Sequence, residues 1–197
     1  MARLLYQGHG SYRIITNKNL VVYIDPYAGK GYEIPADLVL ISHEHFDHNH
    51  IELVSLKDDG NIYRSRNLLS NGKYLSIVHQ DIKVEATPAY NKNHSKDECV
   101  GFIISVDDLK IYAAGDTSKT DFMSERLANE IIDYALLPID GVYNMSPKEA
   151  SECAEIIGAK HCIPIHMKPG ALFDEEKAEA FRAKGKIVLK PDVEINL

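Results

Sequence analysis

Residues 41–48 read Ile-Ser-His-Glu-His-Phe-Asp-His and follow the apolar residues 38–40, Leu-Val-Leu. Imidazole and carboxylate groups are the ligands that suit zinc, iron and manganese. Alternate residues of an extended segment point to the same side, so His43 and His45 can bind one ion. Beyond the end of the strand, Asp47 and His48 can turn toward a second ion. In a chain with only nine histidines, the spacing His-x-His-x-Asp-His predicts a metal site.

Length and composition fit a single globular domain spanning residues 1–197. The chain is 45% hydrophobic and 26% charged, which is ordinary for a domain with a substantial core. The formal charge of -7 disfavours a nucleic-acid binder, because such proteins usually present a basic face. The net charge does not exclude a local basic groove, because it does not describe how charges are distributed over the surface.

Cysteine usage and apolar patterning predict a cytoplasmic protein. Cys99, Cys153 and Cys162 are odd in number and form no Cys-x-x-Cys pair, so we expect buried thiols rather than a disulfide framework. The N-terminal residues 1–8 contain no long apolar segment of the kind found in signal peptides. No run approaches the roughly 20 apolar residues that a membrane-spanning helix needs.

The order of the predicted elements indicates a layered α/β domain, with strands first and then strands alternating with helices. The clearest helix begins with Ser146 as its cap, followed by Pro147 and Glu149, and ends at Gly158. Further predicted elements are helices at 50–56, 121–129 and 174–183, several strands between 62 and 85, and a last strand at 187–195.

The motif at 43–48 resembles that of the metallo-β-lactamase superfamily, whose members carry it at the end of a strand. The resemblance covers nearly the whole chain and implies a four-layer αββα sandwich. The early Gly8-His9 pair and the later Gly115-Asp116 pair look most like a small prokaryotic branch. That branch includes an ascorbate-phosphate lactonase and many uncharacterised hydrolases.

Two further ligands are implied by the resemblance. Asp116 follows an apolar strand and matches the aspartate that bridges two metal ions in the superfamily. His166 also follows an apolar strand and matches a late histidine ligand. A bridging carboxylate helps to hold two ions about 3.5–4 Å apart, so these matches predict a dinuclear centre.

The ligand between these positions departs from the usual pattern. The superfamily places a histidine shortly after a Thr-Pro pair, whereas here Thr87-Pro88 is followed by Asn91 and then by His94. Similar hydrolases show a Pro-Ala-Tyr-Asn run followed by a histidine, which favours His94 as the ligand. The alternative is that His94 is solvated and that Asn91 or water completes the coordination.

Three more residues are candidates for supporting roles. Asp25 and His9 are expected beside the ligands, because a metal-bound imidazole usually donates its other N–H to a carboxylate or carbonyl. The alternatives are a turn aspartate and a structural histidine. Tyr143 lies between a predicted strand and a helix, where its hydroxyl could meet a developing oxyanion, or its ring could simply pack on the core. The histidines expected to lie outside the site are His50, His79 and His161.

The predicted activity is that of a metal-dependent hydrolase with two divalent ions, zinc first and iron or manganese as alternatives. A metal-bridging hydroxide would attack a small ester, lactone or phosphoester, and Asp47 would protonate the leaving group. The first alternative is a phosphodiesterase or nuclease of the same fold. The second is a non-catalytic module that binds a metal or ligand, which the departure at Asn91 leaves open. We expect a small-molecule substrate, and no pattern predicts an oligomeric state.

Overall fold

Two six-stranded β-sheets lie face to face in the computed structural model, which describes residues 1–197. The strands in chain order are Arg3–Gly8 (β1), Ser11–Ile15 (β2), Val21–Ile24 (β3), Ala36–Ile41 (β4), Leu56–Arg64 (β5), Leu69–Ser70 (β6), Lys73–Tyr74 (β7), Ser76–His79 (β8), Ile82–Pro88 (β9), Val100–Val106 (β10), Leu109–Ala113 (β11), Tyr134–Pro138 (β12), His161–Ile165 (β13) and Val193–Asn196 (β14). The helices are Ser65–Leu68 (α1), Asp121–Glu125 (α2), Pro147–Ile157 (α3) and Glu175–Ala180 (α4), with 3-10 helices at Ile51–Leu53 and Leu127–Asn129.

The two sheets are mixed, and their parallel strands end at the same edge of the sandwich. The first sheet has the order β14-β1-β2-β3-β4-β5, and the second has the order β13-β12-β11-β10-β9-β8. Within them, β3, β4 and β5 run parallel, as do β11, β12 and β13. The segments that follow β3, β4, β11, β12 and β13 carry the polar residues described below, so the topology gathers them at one edge.

Three layers of apolar packing hold the sandwich together. A cluster of 25 buried residues fills the space between the sheets, as face-to-face sheet packing requires. A cluster of 19 buried residues joins the outer face of the second sheet to α2, α3 and α4. A small cluster of 6 buried residues lies on the outer face of the first sheet, under Tyr32, Ile51 and Val54.

The predicted α/β sandwich is confirmed, but the outer helical layer on the first sheet is reduced. The second sheet carries a full helical layer, whereas the first sheet is covered by the 3-10 helix Ile51–Leu53 and by loop residues. The three cysteines are buried and unpaired, as predicted. None of the helices combines the length and apolar character needed to cross a membrane.

Helix α3 forms where its local signals predict it. The Ser146 hydroxyl accepts a hydrogen bond from the Glu149 backbone N–H at 3.2 Å, and Pro147 occupies the first turn. Gly158 ends the helix in a left-handed conformation with φ of 65°, which costs glycine little because it has no Cβ. The buried face consists of Ala150, Cys153, Ala154 and Ile157.

Several predicted boundaries were wrong because long-range packing overrides local preference. The predicted helix at 50–56 is a single 3-10 turn, since Leu56 already pairs with Ala36 of β4. Helix α4 stops at Ala180 because Phe181 is extended and fully buried. The last strand is limited to β14, after a turn at Asp192 with φ of 68°.

The prediction for residues 62–85 missed helix α1 at Ser65–Leu68 and was otherwise confirmed in outline. The chain turns between β6 and β7 at Asn71 and Gly72, which have positive φ values of 50° and 72°. The α1 turn contributes the fully buried Leu68 side chain to the core between the sheets. Tertiary burial of one apolar residue therefore accounts for a helical turn too short to leave a sequence signal.

Candidate metal centre

All seven predicted ligands converge at the edge of the sandwich where the parallel strands end. The motif residues follow β4, His94 follows β9, Asp116 follows β11, and His166 comes directly after β13. The side chains of His43, His48, His94, Asp116 and His166 are buried, whereas that of Asp47 is partly exposed and that of His45 is exposed. The two more accessible groups leave the cluster open to solvent on one side.

Half-site A consists of His43, His45 and His94. One ring nitrogen from each lies within 4.8 Å of the others, a spacing that fits three ligands around one ion. The ring centroids of His43 and His94 are 5.0 Å apart at an interplanar angle of 86°. The arrangement is the one the alternation along an extended segment predicts for His43 and His45.

Half-site B consists of Asp47, His48 and His166. Their ligand atoms, together with one from His9, also lie within 4.8 Å of one another. The Asp47 Oδ2 atom is 4.0 Å from His166 Nε2. Half-site B thus combines two imidazoles with a carboxylate, where half-site A has imidazoles alone.

Asp116 lies between the two half-sites. Its Oδ2 atom is 3.3 Å from Nε2 of His94 and 3.3 Å from Nε2 of His166. Its Oδ1 atom is 3.5 Å from Nε2 of His48. A carboxylate that meets imidazoles of both half-sites is placed to contact two ions at once.

The buried ring nitrogens test whether a cation fits this cluster. His43, His48 and His166 each have a buried Nε2 atom with no hydrogen-bond partner. A buried polar atom without a partner is destabilising, and three such atoms around one carboxylate form a set that divalent cations satisfy. Nitrogen and oxygen donors of this kind suit zinc, iron and manganese, so the residues present fit these ions.

Asp25 supports the motif from the end of β3. Its Oδ2 atom lies 2.9 Å from His48 Nδ1 and accepts a hydrogen bond from the Ser42 hydroxyl at 2.6 Å. The Ser42 hydroxyl lies 2.9 Å from His43 Nδ1. With Nδ1–H directed at these acceptors, the Nε2 atoms of His43 and His48 face the cluster. The structure brings Asp25 to the position predicted for it.

Asp140 was missed by the sequence reasoning. Its Oδ2 atom lies 3.0 Å from His166 Nδ1, and its Oδ1 atom accepts backbone N–H groups of Val142, Tyr143 and Asn144. Asp140 follows the buried strand β12 and precedes a glycine, much as Asp116 follows β11. An aspartate just beyond a buried strand was the available signal.

Asn91 lies behind His94 and not in the cluster. Its Oδ1 atom is 3.0 Å from His94 Nδ1, and its Nδ2 atom donates to the Tyr143 carbonyl at 2.8 Å. Both the oxygen and the nitrogen of the Asn91 amide therefore have hydrogen-bond partners. The Nε2 atom of His94 faces Asp116. The geometry favours His94 over Asn91 as the group that completes half-site A.

His9 lies at the site and touches half-site B. Its Nε2 atom is 3.1 Å from Asp47 Oδ2, and its Nδ1 atom is 3.1 Å from the Ala171 carbonyl. Its ring centroid is 3.7 Å from that of His166. The remaining three histidines, for which no role was predicted, lie outside all the clusters, namely His50, His79 and His161.

Electrostatics distinguish the buried imidazoles. Burial, reinforced by the neighbouring His48, holds the pKa of His43 well below its usual value. Burial also opposes a charge on His48, but Asp116 and Asp25 outweigh it and raise the pKa of His48 well above the usual value. Burial acts to raise the pKa of Asp116, yet His166 and His48 lower it well below its usual value. Without metal, burial therefore favours the neutral form of His43, whereas the neighbouring carboxylates favour the charged form of His48.

A cleft of about 430 Å³ leads to the cluster. Tyr143 lines it with its side chain 50% exposed, so the ring is not packed into the core. The other lining residues are His45, Phe46, Asp47, Asn93, His94, Asp116, His166, Pro169 and Gly170. Members of both half-sites are thus reachable from a single opening.

Comparisons with known proteins show the family of this chain. Residues 3–166 match a family model described as a β-lactamase superfamily domain. A UPF0173 metal-dependent hydrolase of Thermococcus onnurineus strain NA1 is 31% identical over 222 residues, covering 97% of each protein. A UPF0173 metal-dependent hydrolase of Methanoregula boonei is 35% identical over 184 residues, covering 83% of this chain and 81% of the relative.

Among solved structures, Igni18 is similar to this chain. It is a metallo hydrolase of the hyperthermophilic archaeon Ignicoccus hospitalis and has a TM-score of 0.75 with this chain at 21% identity. The similarity covers 100% of this chain and 99% of Igni18. At this level of identity it shows a shared fold.

Proposed function

This chain belongs to the metallo-β-lactamase superfamily and is a metal-dependent hydrolase, and we propose that it cleaves a small ester, lactone or phosphoester at a centre of two divalent ions. Zinc is the proposed metal, with iron and manganese as alternatives, because all three suit imidazole and carboxylate ligands. Half-sites A and B would each hold one ion, and Asp116 would contact both.

One observation carries this proposal. The buried Nε2 atoms of His43, His48 and His166 lack hydrogen-bond partners, and those of His48 and His166 lie within 3.5 Å of Asp116. Groups that only stabilise a fold are normally paired when buried. Unpaired nitrogens grouped around a shared carboxylate support a centre built for cations.

The residues of the cleft supply positioning and proton transfer. When bound, the ions would supply Lewis acidity and lower the pKa of a water molecule. Burial acts to raise the pKa of Asp47, but the neighbouring His9 and His48 outweigh it and lower that pKa. The carboxylate, whose side chain is 20% exposed, would therefore take a proton from the attacking water and pass it to a leaving group in the cleft. His9, 3.1 Å from Asp47 Oδ2, would hold that carboxyl group in place.

Tyr143 is the proposed donor to the developing oxyanion. Its backbone is fixed, because Asp140 accepts its N–H and Asn91 donates to its carbonyl. The half-exposed ring lines the cleft that leads to the ions, and a phenolic hydroxyl there can stabilise negative charge on a substrate oxygen.

The non-catalytic alternative loses its main support. It relied on Asn91 standing in place of a histidine ligand, whereas His94 directs its Nε2 atom at Asp116 from 3.3 Å. The nuclease alternative needs cations that meet a phosphate backbone, and no Lys or Arg side chain lines the cleft. Neither alternative is favoured by a feature of the described residues.

Metal content and turnover of Asp47→Ala and His166→Ala test the proposal. We expect each variant to lose about one ion per chain and to lose activity by roughly a thousandfold, since the ions supply several kcal/mol of stabilisation. Candidate substrates are screened with zinc-, manganese- and iron-loaded protein. Full metal content together with full activity in both variants would refute the assignment.

His79→Ala is the matched control. His79 is a histidine at the end of β8 that belongs to none of the clusters. It should keep wild-type metal content and turnover, so that losing a histidine is separated from losing a ligand.

A further inference from the structure

The cleft that leads to the candidate metal centre has an apolar rim formed by Phe46 and Tyr143. Phe46, between two candidate ligands of the motif, is 68% exposed, and Tyr143 is 50% exposed. Phe46 and Tyr143 both line the cleft of about 430 Å³. Apolar side chains exposed together at the mouth of a site mark a surface that binds something apolar.

The backbone that carries Tyr143 is held in place by hydrogen bonds. Asp140 accepts three successive backbone N–H groups of the loop that bears Val142 and Tyr143. Asn91 and Asn93 donate to the Tyr143 carbonyl at 2.8 and 3.2 Å. A binding surface fixed in advance loses little conformational freedom when a ligand arrives.

Phe46 is braced from one side only. Its ring meets that of Tyr27 edge to face, with centroids 5.9 Å apart, and Tyr27 in turn packs against His9 and His50. The remaining surface of the Phe46 ring is available to a ligand in the cleft. An aromatic ring offers a large contact area at low cost in conformational entropy.

Charge distinguishes this cleft from its neighbour. No Lys or Arg side chain lines the apolar cleft, whereas a second cleft of about 320 Å³ beside half-site A is lined by Glu44, Arg66, Asp97 and Glu98. The nearby Lys177 ammonium group is bound to the Asp140 carbonyl. Apart from the ions themselves, an anionic group on the substrate would therefore find no positive charge in the apolar cleft.

We propose that the substrate is a neutral ester or lactone whose alkyl or aromatic group lies against Phe46 and Tyr143. This inference rests on the proposed function and narrows it to carbonyl substrates that carry an apolar group beside the reacting bond. The water oxygen bonds to the carbonyl carbon, and the bond from that carbon to the alcohol oxygen breaks. One proton of the water passes to the alcohol oxygen, giving a carboxylic acid and an alcohol.

γ-Butyrolactone and γ-nonalactone form a suitable pair of probes, since they share the reactive ring and differ by one pentyl chain. With zinc-loaded wild-type protein, we expect kcat/KM for γ-nonalactone to be at least about tenfold higher, because the chain is withdrawn from water against the rim. In Phe46→Ser we expect the preference to fall to about threefold or less. Zinc content is measured for both proteins.

Val78→Ser is the matched control, because Val78 on β8 is also 68% exposed and does not line the cleft. It should keep the wild-type preference. An unchanged preference in Phe46→Ser, or faster turnover of bis(p-nitrophenyl) phosphate than of either lactone, would overturn the inference. Absence of turnover on every ester, lactone and phosphoester by the zinc-loaded protein would instead overturn the proposed function, and the inference with it.

Discussion

The imidazoles of half-site A are backed by neutral groups. His43 directs Nδ1 at the Ser42 hydroxyl at 2.9 Å, and His94 directs Nδ1 at the Asn91 amide oxygen at 3.0 Å. The exposed His45 has no such partner among the hydrogen bonds of the site. These contacts fix ring orientation but place no full negative charge next to the rings.

The imidazoles of half-site B are backed by carboxylates. His48 lies 2.9 Å from Asp25 Oδ2 and His166 lies 3.0 Å from Asp140 Oδ2. A carboxylate behind an imidazole fixes its tautomer and makes it a stronger donor to a metal. The difference predicts that half-site B would bind an ion more tightly than half-site A, whose ion would exchange more readily.

Asp116→Ala should have the largest effect, because it removes the one group that contacts both half-sites. We expect the protein to retain about one ion or fewer and to lose activity by roughly a thousandfold. Elemental analysis and turnover measure the two effects. Retention of two ions would show that the half-sites do not depend on Asp116.

Asp140→Asn should weaken half-site B selectively. Loss of the carboxylate behind His166 is expected to lower the affinity for that ion by about 10–100-fold, with little change at half-site A. Competition with a chromophoric chelator measures both affinities. Asp108→Asn is the control, because Asp108 lies in a hairpin turn with φ of 63°, a conformation that asparagine also accepts. Equal weakening of both half-sites would contradict the comparison.

Two substitutions at Asn91 should change the metal affinity of half-site A in opposite directions. Asn91→Ala removes a neutral hydrogen bond to His94, so the affinity should fall by about three- to tenfold. Asn91→Asp places a carboxylate behind His94, as in half-site B, and should raise the affinity by about threefold. The same chelator competition reports both changes. A fall in both variants would mean that the amide acts mainly through the Tyr143 carbonyl.

Acidification should reduce the difference in metal affinity between the two half-sites. The carboxylates Asp116 and Asp25 overcome burial and raise the pKa of His48, whereas burial lowers the pKa of His43. A metal ion must displace the proton on His48, so affinity at half-site B should fall by up to about tenfold per pH unit below that raised pKa. Affinity at half-site A should fall less. Zinc titrations at about pH 8 and about pH 6 measure the two slopes, and equal slopes would contradict this account.

The sequence predicted the parts of the site that follow from local pattern. The candidate ligands at 43–48, Asp116 and His166 each follow an apolar strand, and parallel strands end at one edge of a sheet. Asp140 follows a strand in the same way, but its contact with His166 depends on β12 lying beside β13. That pairing is long-range and leaves no mark near Asp140.

Local sequence pattern was also insufficient to decide between Asn91 and His94 as the candidate ligand. Both side chains carry groups that bind metals, and spacing alone does not determine which one faces the cluster. The structure resolves the geometry because Asn91 also reaches the Tyr143 carbonyl, a contact 52 residues away in sequence. The extent of β5 was misjudged for a related reason, since its pairing with β4 extends a strand through a segment that favours turns.

Anomalous X-ray scattering from crystals grown with one molar equivalent of zinc tests the central claim most directly. It locates the ion without relying on activity and distinguishes half-site A from half-site B. We predict a dominant zinc peak among Asp47, His48 and His166, with a second peak among His43, His45 and His94 only when more zinc is added. A dominant first peak at half-site A, or equal peaks from the start, would contradict the account.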